Sequence, residues 1–507
     1  MAAALFQVHR PVAQNDDGDN HSDSDRIRAA LPWSLAAALF TIYATLAIRD
    51  QQRMVTTGYD LGIFDQAVRA YAHGHLPIST LKGPQYDLLG DHFSPIIATL
   101  APFYLLWPSA YTLLIAQAAL FAVGVVPLSR WATAELGARA GLAIGAIYGL
   151  SWGIASAAGF DFHEVAFGVP LLAFSATALG QRRPYAAIFW ALPLLLVKED
   201  LGFTVAVIGL IAATRGAKVL GVAAAVIGVT GSVLEVEFLI PLANHAGYAY
   251  TNSLVNDGPA HGGTVAHLLY DAFHFFLPHV KIITLIQLLA PTAFLATRSP
   301  LILMTVPTLT WRFLSDDAVY WGTMFQYSAV LMPIVVAAFI EVLIRRRDRP
   351  RSPVRSTRPW RTGIFPPLIV GLIVTAVLLP SYPLAKLAHP SEWSTPPRIA
   401  AARTILQRIP NGASVSASNT LIPQLTDRAT VYLFEPNRLD SVTWIVLDTQ
   451  TINTFPLTQT AYAQLIGTAE HDGFQVVEHR DGYLLLHRVT DAAPSRVLTA
   501  QSTHRPR

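Results

Sequence analysis

Four short stretches of the chain each carry two or three ionisable residues and lie close to a long apolar segment. Carboxylates and imidazoles can accept a proton from a substrate hydroxyl, and lysine and histidine can bind an anion. Charged groups are costly near a membrane unless they pair or line a cavity, so these stretches are the candidates for chemistry. They are GYDLGIFDQ (58–66) with Asp60 and Asp65, GDHFSP (90–95) with Asp91 and His92, FDFHE (160–164) with Asp161, His163 and Glu164, and KED (198–200) with Lys198, Glu199 and Asp200.

The first stretch opens a segment that reads as a helix lying outside the membrane, over residues 58–75. Its apolar residues recur at helical spacing, with Asp60 and Asp65 at its start and Arg69 towards its end. Carboxylates in a first turn also favour the helix dipole, so a capping role alone would explain Asp60. Asp65 lies past the first turn, which makes a purely capping role harder to assign.

The stretches FDFHE and KED both occupy short turns between apolar segments. KED divides a run whose two halves hold about 14 residues each, shorter than the hydrocarbon core, so its charges are drawn towards membrane depth. The alternatives are a solvated loop that caps the next helix for FDFHE and a salt-bridged hairpin tip for KED. The acids of FDFHE and of the first stretch could also share a divalent cation, although no spacing demands one.

Composition indicates what must hold these groups in place. The chain has 507 residues, of which 52% are hydrophobic and only 14% charged, with a mean hydropathy of +0.40. Those values are typical of a polytopic membrane protein rather than a soluble one. A net charge of +3 gives no reason to expect a nucleic-acid partner, and the absence of cysteine excludes disulfides and thiol chemistry.

Apolar segments and flanking charge predict about eleven transmembrane helices in a domain spanning residues 31–380. Basic clusters mark alternate ends as cytoplasmic, which places all four ionisable stretches on the extracytoplasmic face of the membrane. This register requires residues 94–108 to form an interfacial helix. The predicted spans are 31–49, 111–131, 141–158, 164–180, 184–198, 200–213, 217–238, 280–297, 299–314, 323–344 and 361–380.

The two ends of the chain differ in texture from the membrane domain. Residues 1–30 are polar and acidic, which predicts a disordered cytoplasmic N-terminus. Residues 381–490 contain one helical stretch, three buried strands and a hairpin turning at Asp481-Gly482, which predicts a small extracytoplasmic α/β domain. Residues 491–507 read as a disordered tail.

The motifs YDLGIFDQ, GDHFSP, FDFHE and KEDLG resemble those of the DUF2079 family of predicted bacterial membrane proteins. The family's plan is similar to that of the GT-C glycosyltransferases, and the likeness covers residues 31–490. In that superfamily a carboxylate of the first extracytoplasmic loop is catalytic and the donor is a polyprenyl-phosphate sugar. The resemblance implies Asp60 as this carboxylate, with Asp65 second. The usual close pair of acids is absent, since the two aspartates stand five residues apart.

This resemblance implies an inverting transferase that moves a sugar to the hydroxyl of an envelope glycan or lipid. Asp60 would be the general base, and Arg69, Lys198, His92 or His163 would hold the donor phosphate. The other ionisable residues of the four stretches would contact substrate. Two other classes stay open: a transporter or lipid flippase that uses the charged groups as a substrate path, and a non-catalytic envelope assembly protein.

Overall fold

The computed structural model describes residues 17–244, 247–250, 276–348 and 363–488. The first helix begins at Asp17, within the segment for which disorder was predicted, whereas residues 1–16 and the predicted tail 491–507 lie outside the described residues. Helices dominate the chain up to residue 406. The α-helices up to Ala243 are Asp17–Gln52, Ile63–Ala72, Ala101–Leu106, Ala110–Val123, Val125–Leu136, Ala138–Gly149, Trp152–Ala158, Val165–Gly180, Pro184–Ala191, Leu201–Thr214, Lys218–Leu234 and Ile240–Ala243. Those after it are His279–Leu289, Val306–Leu314, Leu331–Arg347, Phe365–Leu378, Pro390–Trp393, Pro397–Leu406 and Gln459–His471.

Three helical segments among the described residues are long and apolar enough to cross a membrane: Ala29–Gln52, Ala110–Leu136 and Lys218–Ala243. A fourth would be the pair Ala138–Gly149 and Trp152–Ala158, which bends by 50°. The predicted count of eleven is therefore not confirmed. Most of the other predicted spans correspond to apolar helices of 10–17 residues, too short to meet the length criterion.

Small residues bring the helices of the bundle close together. In the hairpin formed by Leu201–Thr214 and Lys218–Leu234, a Cβ added to Gly221 would lie 2.5 Å from the carbonyl oxygen of Gly209. Such close backbone approach is how membrane helices gain contact where no water drives them together. The hairpin fixes the KED turn, because Leu201–Thr214 begins directly after Asp200.

The C-terminal region forms the predicted α/β unit around a five-stranded sheet. The strands are β1 Ser414–Ala417, β2 Thr430–Leu433, β3 Trp444–Asp448, β4 Phe474–Arg480 and β5 Tyr483–Arg488. Their order in the sheet is β2-β1-β3-β5-β4; β1 is parallel to β2 and β3, while β5 is antiparallel to β3 and β4. The β4–β5 hairpin turns at Asp481 and Gly482, both with positive φ, as the sequence predicts.

The sheet unit packs against the helix Ile63–Ala72, hereafter the site helix, and shares one apolar core with it. Ile422 fits against the turn that precedes the helix, where a Cβ added to Gly58 or Gly62 would lie 2.5 Å or 2.9 Å from its side chain. The absence of a side chain at these two positions is what lets the sheet unit approach. This packing joins the C-terminal unit to the segment that carries Asp60.

Candidate active site

One cavity of about 810 Å³ brings together most of the ionisable residues that the sequence singled out. Eight of the eleven predicted site residues line it, from all four stretches of the chain. Asp65, Arg69 and Asp161 are not among the residues that line it. The eight are Asp60, Asp91, His92, His163, Glu164, Lys198, Glu199 and Asp200.

Asp60 and His163 form a pair at this cavity. Oδ1 of Asp60 lies 3.1 Å from Nε2 of His163, and the side chains are 32% and 6% exposed. The imidazole is held between aromatic rings, with ring centroids 5.3 Å from Phe160 and 5.7 Å from Phe64. Burial alone would lower the pKa of His163, but the facing Asp60 carboxylate raises it overall, which favours the imidazolium form.

Asp161 fixes the turn that carries His163. Its carboxylate accepts hydrogen bonds from the backbone N–H of Thr57 at 3.1 Å and from the Thr57 hydroxyl at 2.5 Å. Gln117 secures the same turn, since it donates to the Asp161 carbonyl at 3.0 Å and accepts from the His163 N–H at 3.0 Å. Burial, with the charge of Asp60 added, raises the pKa of Asp161 to about 7. The structure therefore places Asp161 behind the cavity as a positioning residue.

Lys198 and Glu164 form a second pair, with Nζ 3.0 Å from Oε1. The Glu164 side chain is almost completely buried, and its Oε2 has no hydrogen-bond partner among the described residues. Asp200, two residues on from the lysine, accepts a hydrogen bond of 2.8 Å from the indole N–H of Trp311. A short turn thus delivers charges of both signs to one wall.

Glu199 and His92 form a third pair, with Nδ1 of His92 2.7 Å from Oε1 of Glu199. The carboxylate also accepts hydrogen bonds from the N–H of Phe93 at 3.1 Å and from the hydroxyl of Tyr248 at 2.7 Å. Burial would raise the pKa of Glu199, but His92, Lys198 and Tyr248 lower it to about 2. Glu199 is therefore ionised and holds the imidazole.

Lys82 forms a fourth pair, with Asp91, although it is not among the site residues predicted from the sequence. Its Nζ lies 3.0 Å from Oδ2 of Asp91 and donates a hydrogen bond of 3.1 Å to the Tyr59 hydroxyl. Burial would lower the pKa of Lys82, but Asp91 and Tyr59 raise it overall, so the ammonium persists. A sequence signal existed, since Lys82 is the only lysine or arginine between Arg69 and Asp91.

Asp65 and Arg69 point to the sheet unit instead of the cavity. The Asp65 side chain is fully buried and accepts a hydrogen bond of 3.3 Å from the Tyr104 hydroxyl. Arg69 donates to the carbonyl oxygens of Thr426 at 2.9 Å and Ala429 at 3.1 Å. Neither side chain is placed to contact a ligand in the cavity.

The two aspartates lie on different elements. Asp60 belongs to the one-turn π-helix Gly58–Gly62, whereas Asp65 and Arg69, four residues apart, share a face of the α-helix that follows. Asp60 therefore faces the cavity, while Asp65 and Arg69 together face the C-terminal unit. Burial, with the charge of Asp427 added, raises the pKa of Asp65 to about 7.

Apolar side chains also line the cavity, and some of them reach the surface of the helical bundle. Phe203, Val233 and Val306, on three different helices, line it and are between 43% and 49% exposed. Charged pairs and exposed apolar side chains therefore line the same cavity. A molecule with a charged head and an apolar tail matches this lining.

No group of three or more His, Asp or Glu side chains arranged to hold a metal ion is found within the described ranges. The acidic residues of the cavity engage basic or N–H partners, as in the four pairs above, and do not converge on a common point. The divalent cation that the acids of the first stretch and of FDFHE could share has no such cluster to hold it in the part of the chain that the structure describes.

The overall fold is similar to that of GT-C glycosyltransferases. The apo structure of ArnT from Cupriavidus metallidurans matches with a TM-score of 0.50 at 15% identity, covering 89% of this chain and 98% of ArnT. The same ArnT bound to undecaprenyl phosphate gives a TM-score of 0.48 at 16% identity, covering 90% and 99%. The archaeal oligosaccharyltransferase AglB from Archaeoglobus fulgidus, in complex with an inhibitory peptide and a dolichol-phosphate, gives 0.39 at 10% identity, covering 91% and 75%. The protein is thus a largely helical chain with a GT-C-like fold and a small C-terminal sheet.

Within that class, the chain belongs to the DUF2079 family of predicted membrane proteins. The family profile matches residues 51–485, which include all four ionisable stretches and most of the C-terminal sheet. A comparison with curated proteins gave no match.

Proposed function

We propose that this protein is an integral membrane glycosyltransferase that moves a sugar from a polyprenyl-phosphate donor to a hydroxyl of a cell-envelope glycan or lipid. The reaction would take place on the extracytoplasmic face of the bacterial plasma membrane. The observation that carries this proposal is one cavity lined both by paired charges and by apolar side chains exposed at the surface of the helical bundle. ArnT, whose apo structure has a similar fold, also has a structure bound to undecaprenyl phosphate, which supports a lipid phosphate as the donor carrier.

Asp60 is the general base of the proposed reaction. The acceptor oxygen forms a bond to the anomeric carbon of the donor sugar while the bond from that carbon to the phosphate oxygen breaks. The acceptor proton goes to the Asp60 carboxylate, and the polyprenyl phosphate departs with the electron pair as an anion. Inversion at the anomeric carbon follows if this is a single displacement, and it rests on analogy with the GT-C superfamily.

Lys82 and Lys198 supply positive charge for the donor phosphate. Both line the cavity, and their partners Asp91 and Glu164 hold each ammonium in place at 3.0 Å. A departing phosphate needs this charge more than it needs a proton, because its oxygen is already a stable anion. The remaining predicted residues of the cavity, His92, His163, Glu199 and Asp200, position these groups or contact the sugar.

Transfer by purified protein in lipid nanodiscs tests the assignment. Wild type, Asp60→Asn and Asp65→Asn are supplied with a panel of polyprenyl-phosphate sugars and an envelope-lipid extract as acceptor. We expect Asp60→Asn to lose activity by about 10²- to 10⁴-fold, the usual contribution of a general base. Asp65→Asn is a matched control, since it makes the same change on the other face of the same segment and should keep most of the activity. Undiminished transfer by Asp60→Asn would overturn the assignment.

A further inference from the structure

The edge at which open α/β sheets bind ligands faces, in the C-terminal sheet, the turn that carries Asp60. Strands β1 and β3 are adjacent and parallel, but the chain leaves β1 towards β2 on one side and leaves β3 towards the β4–β5 hairpin on the other. The crevice beyond the carboxyl ends of two such strands is the usual ligand position in sheets of this kind.

The carboxyl end of β1 contacts the turn that carries Asp60. Asn419, two residues after β1, accepts hydrogen bonds from the N–H of Gly58 at 2.7 Å through its backbone carbonyl and from the N–H of Tyr59 at 2.9 Å through its side chain. The residue after Tyr59 is Asp60. The carboxyl end of β1 is therefore joined to the turn before Asp60 by hydrogen bonds from two backbone N–H groups.

The segment after β3, residues 449–458, completes this junction and is hereafter the β3 loop. Its sequence, TQTINTFPLT, has no charged residue and is rich in hydroxyl and amide side chains. The ring of Phe455 lies 4.7 Å from that of Tyr59, which itself lines the cavity. Phe455 and Ile452 are nevertheless 45% and 89% exposed, so both are available to a ligand.

We infer that the β3 loop is the acceptor subsite and that its ligand is a neutral glycan. Exposed aromatic and aliphatic surface beside uncharged amides and hydroxyls suits sugar rings, which have apolar faces and hydroxyl edges. An anionic acceptor would find no basic side chain in the loop. The inference rests on the proposed function: the glycan enters beside Tyr59 from the side of the sheet, and the lipid donor contacts the exposed apolar side chains of the cavity.

Binding to an array of neutral and anionic oligosaccharides tests this subsite, with full-length protein in nanodiscs. We expect wild type to bind neutral oligosaccharides, and Phe455→Ala to weaken that binding about tenfold, the effect of one lost ring contact. Phe455→Tyr should restore it, because the ring is retained. Ile452→Ser should weaken binding, whereas Val476→Ser, a matched change at an exposed position of β4, should not.

Binding of undecaprenyl phosphate to the same preparations separates the two proposals. If lipid phosphate binds but neutral glycans do not, or if Phe455→Ala binds them as wild type does, the acceptor subsite is wrong while the transferase proposal stands. Binding of anionic oligosaccharides alone also overturns it. If wild type binds neutral glycans but no lipid phosphate, the transferase proposal fails instead.

Discussion

Asp60 and His163 are the residues on which the proposed chemistry depends. A general base must lie within reach of the proton that it accepts, and Nε2 of His163 holds the Asp60 carboxylate at 3.1 Å at the wall of the cavity. His163 is held by aromatic rings and by the turn that Asp161 anchors to Thr57. We therefore assign His163 as a positioning residue that acts through Asp60.

Replacement of His163 by Gln keeps a hydrogen-bond donor but removes the titratable charge. Because the pKa of His163 is raised, the imidazolium is present at low pH and is lost as pH rises through that raised pKa. Wild-type kcat should thus fall at alkaline pH. The variant should lose about tenfold in kcat at neutral pH, with little change in KM, and should lack this alkaline limb. The pH profile of transfer provides the measurement; a variant with the wild-type profile would show that His163 only fills space.

The residue types of the site could be predicted from the sequence, but not all of their directions. Ionisable residues on short turns beside apolar segments come close together when the segments pack, and eight of the eleven predicted site residues line one cavity. That Asp65 and Arg69 turn away from it depends on the change from a π-helix to an α-helix between Asp60 and Asp65, which the spacing alone does not show. Lys82 lies in a loop with no periodicity, and only the fold brings it to Asp91.

At the scale of elements, the turn Gly58–Gly62 meets the C-terminal unit where its backbone closely approaches the side chain of Ile422. Gly58→Ala would place a Cβ 2.5 Å from that side chain, and overpacking of this kind costs about 1–3 kcal/mol. We expect a lower thermal unfolding midpoint for Gly58→Ala. In the double variant with Ile422→Ala, the loss of stability should be smaller than the sum of the two single losses, because the added methyl group occupies part of the cavity that Ile422→Ala leaves.

Gly467 provides the matched control for this substitution. A Cβ there meets nothing within 4 Å, so Gly467→Ala in the helix Gln459–His471 should leave the midpoint unchanged or raise it. If Gly58→Ala were as stable as wild type, the turn Gly58–Gly62 and the C-terminal unit would not be tightly packed.

Asp65 gives this same contact a pH dependence. Burial raises the pKa of Asp65 to about 7. The protonated side chain therefore contributes fully to the free energy of unfolding below about pH 4, and this contribution is lost as pH rises towards 7. The unfolding midpoint of wild type should fall between about pH 4 and pH 7. Asp65→Asn should remove part of that fall, whereas the exposed Asp472→Asn should not. An identical pH dependence in wild type and Asp65→Asn would contradict a buried ionisable group at this contact.

The elements of the C-terminal unit could be predicted because alternation and turn residues are local signals. The helix Pro397–Leu406, the three buried strands and the hairpin lie where the sequence places them. What the sequence could not predict is that Ile422 and its neighbours share a core with the site helix, because contacts between distant segments leave no periodic trace.

At the scale of the whole molecule, the number of membrane crossings stays a prediction beyond the three clear spans. Apolar helices such as Val165–Gly180 and Phe365–Ser381 are shorter than the hydrocarbon core unless the bilayer adapts around them. Flanking charge predicts orientation without fixing how many short helices cross. The position of a bound lipid would give both the depth and the side of the cavity.

The most direct test is therefore a cryo-electron microscopy structure in nanodiscs with undecaprenyl phosphate. We predict phosphate density within hydrogen-bond distance of the Nζ atoms of Lys82 or Lys198, near Asp60, and isoprenoid density along Phe203 and Val306. Lipid bound elsewhere, or a continuous polar path from the cavity to the cytoplasmic side, would contradict a transferase and would favour transport.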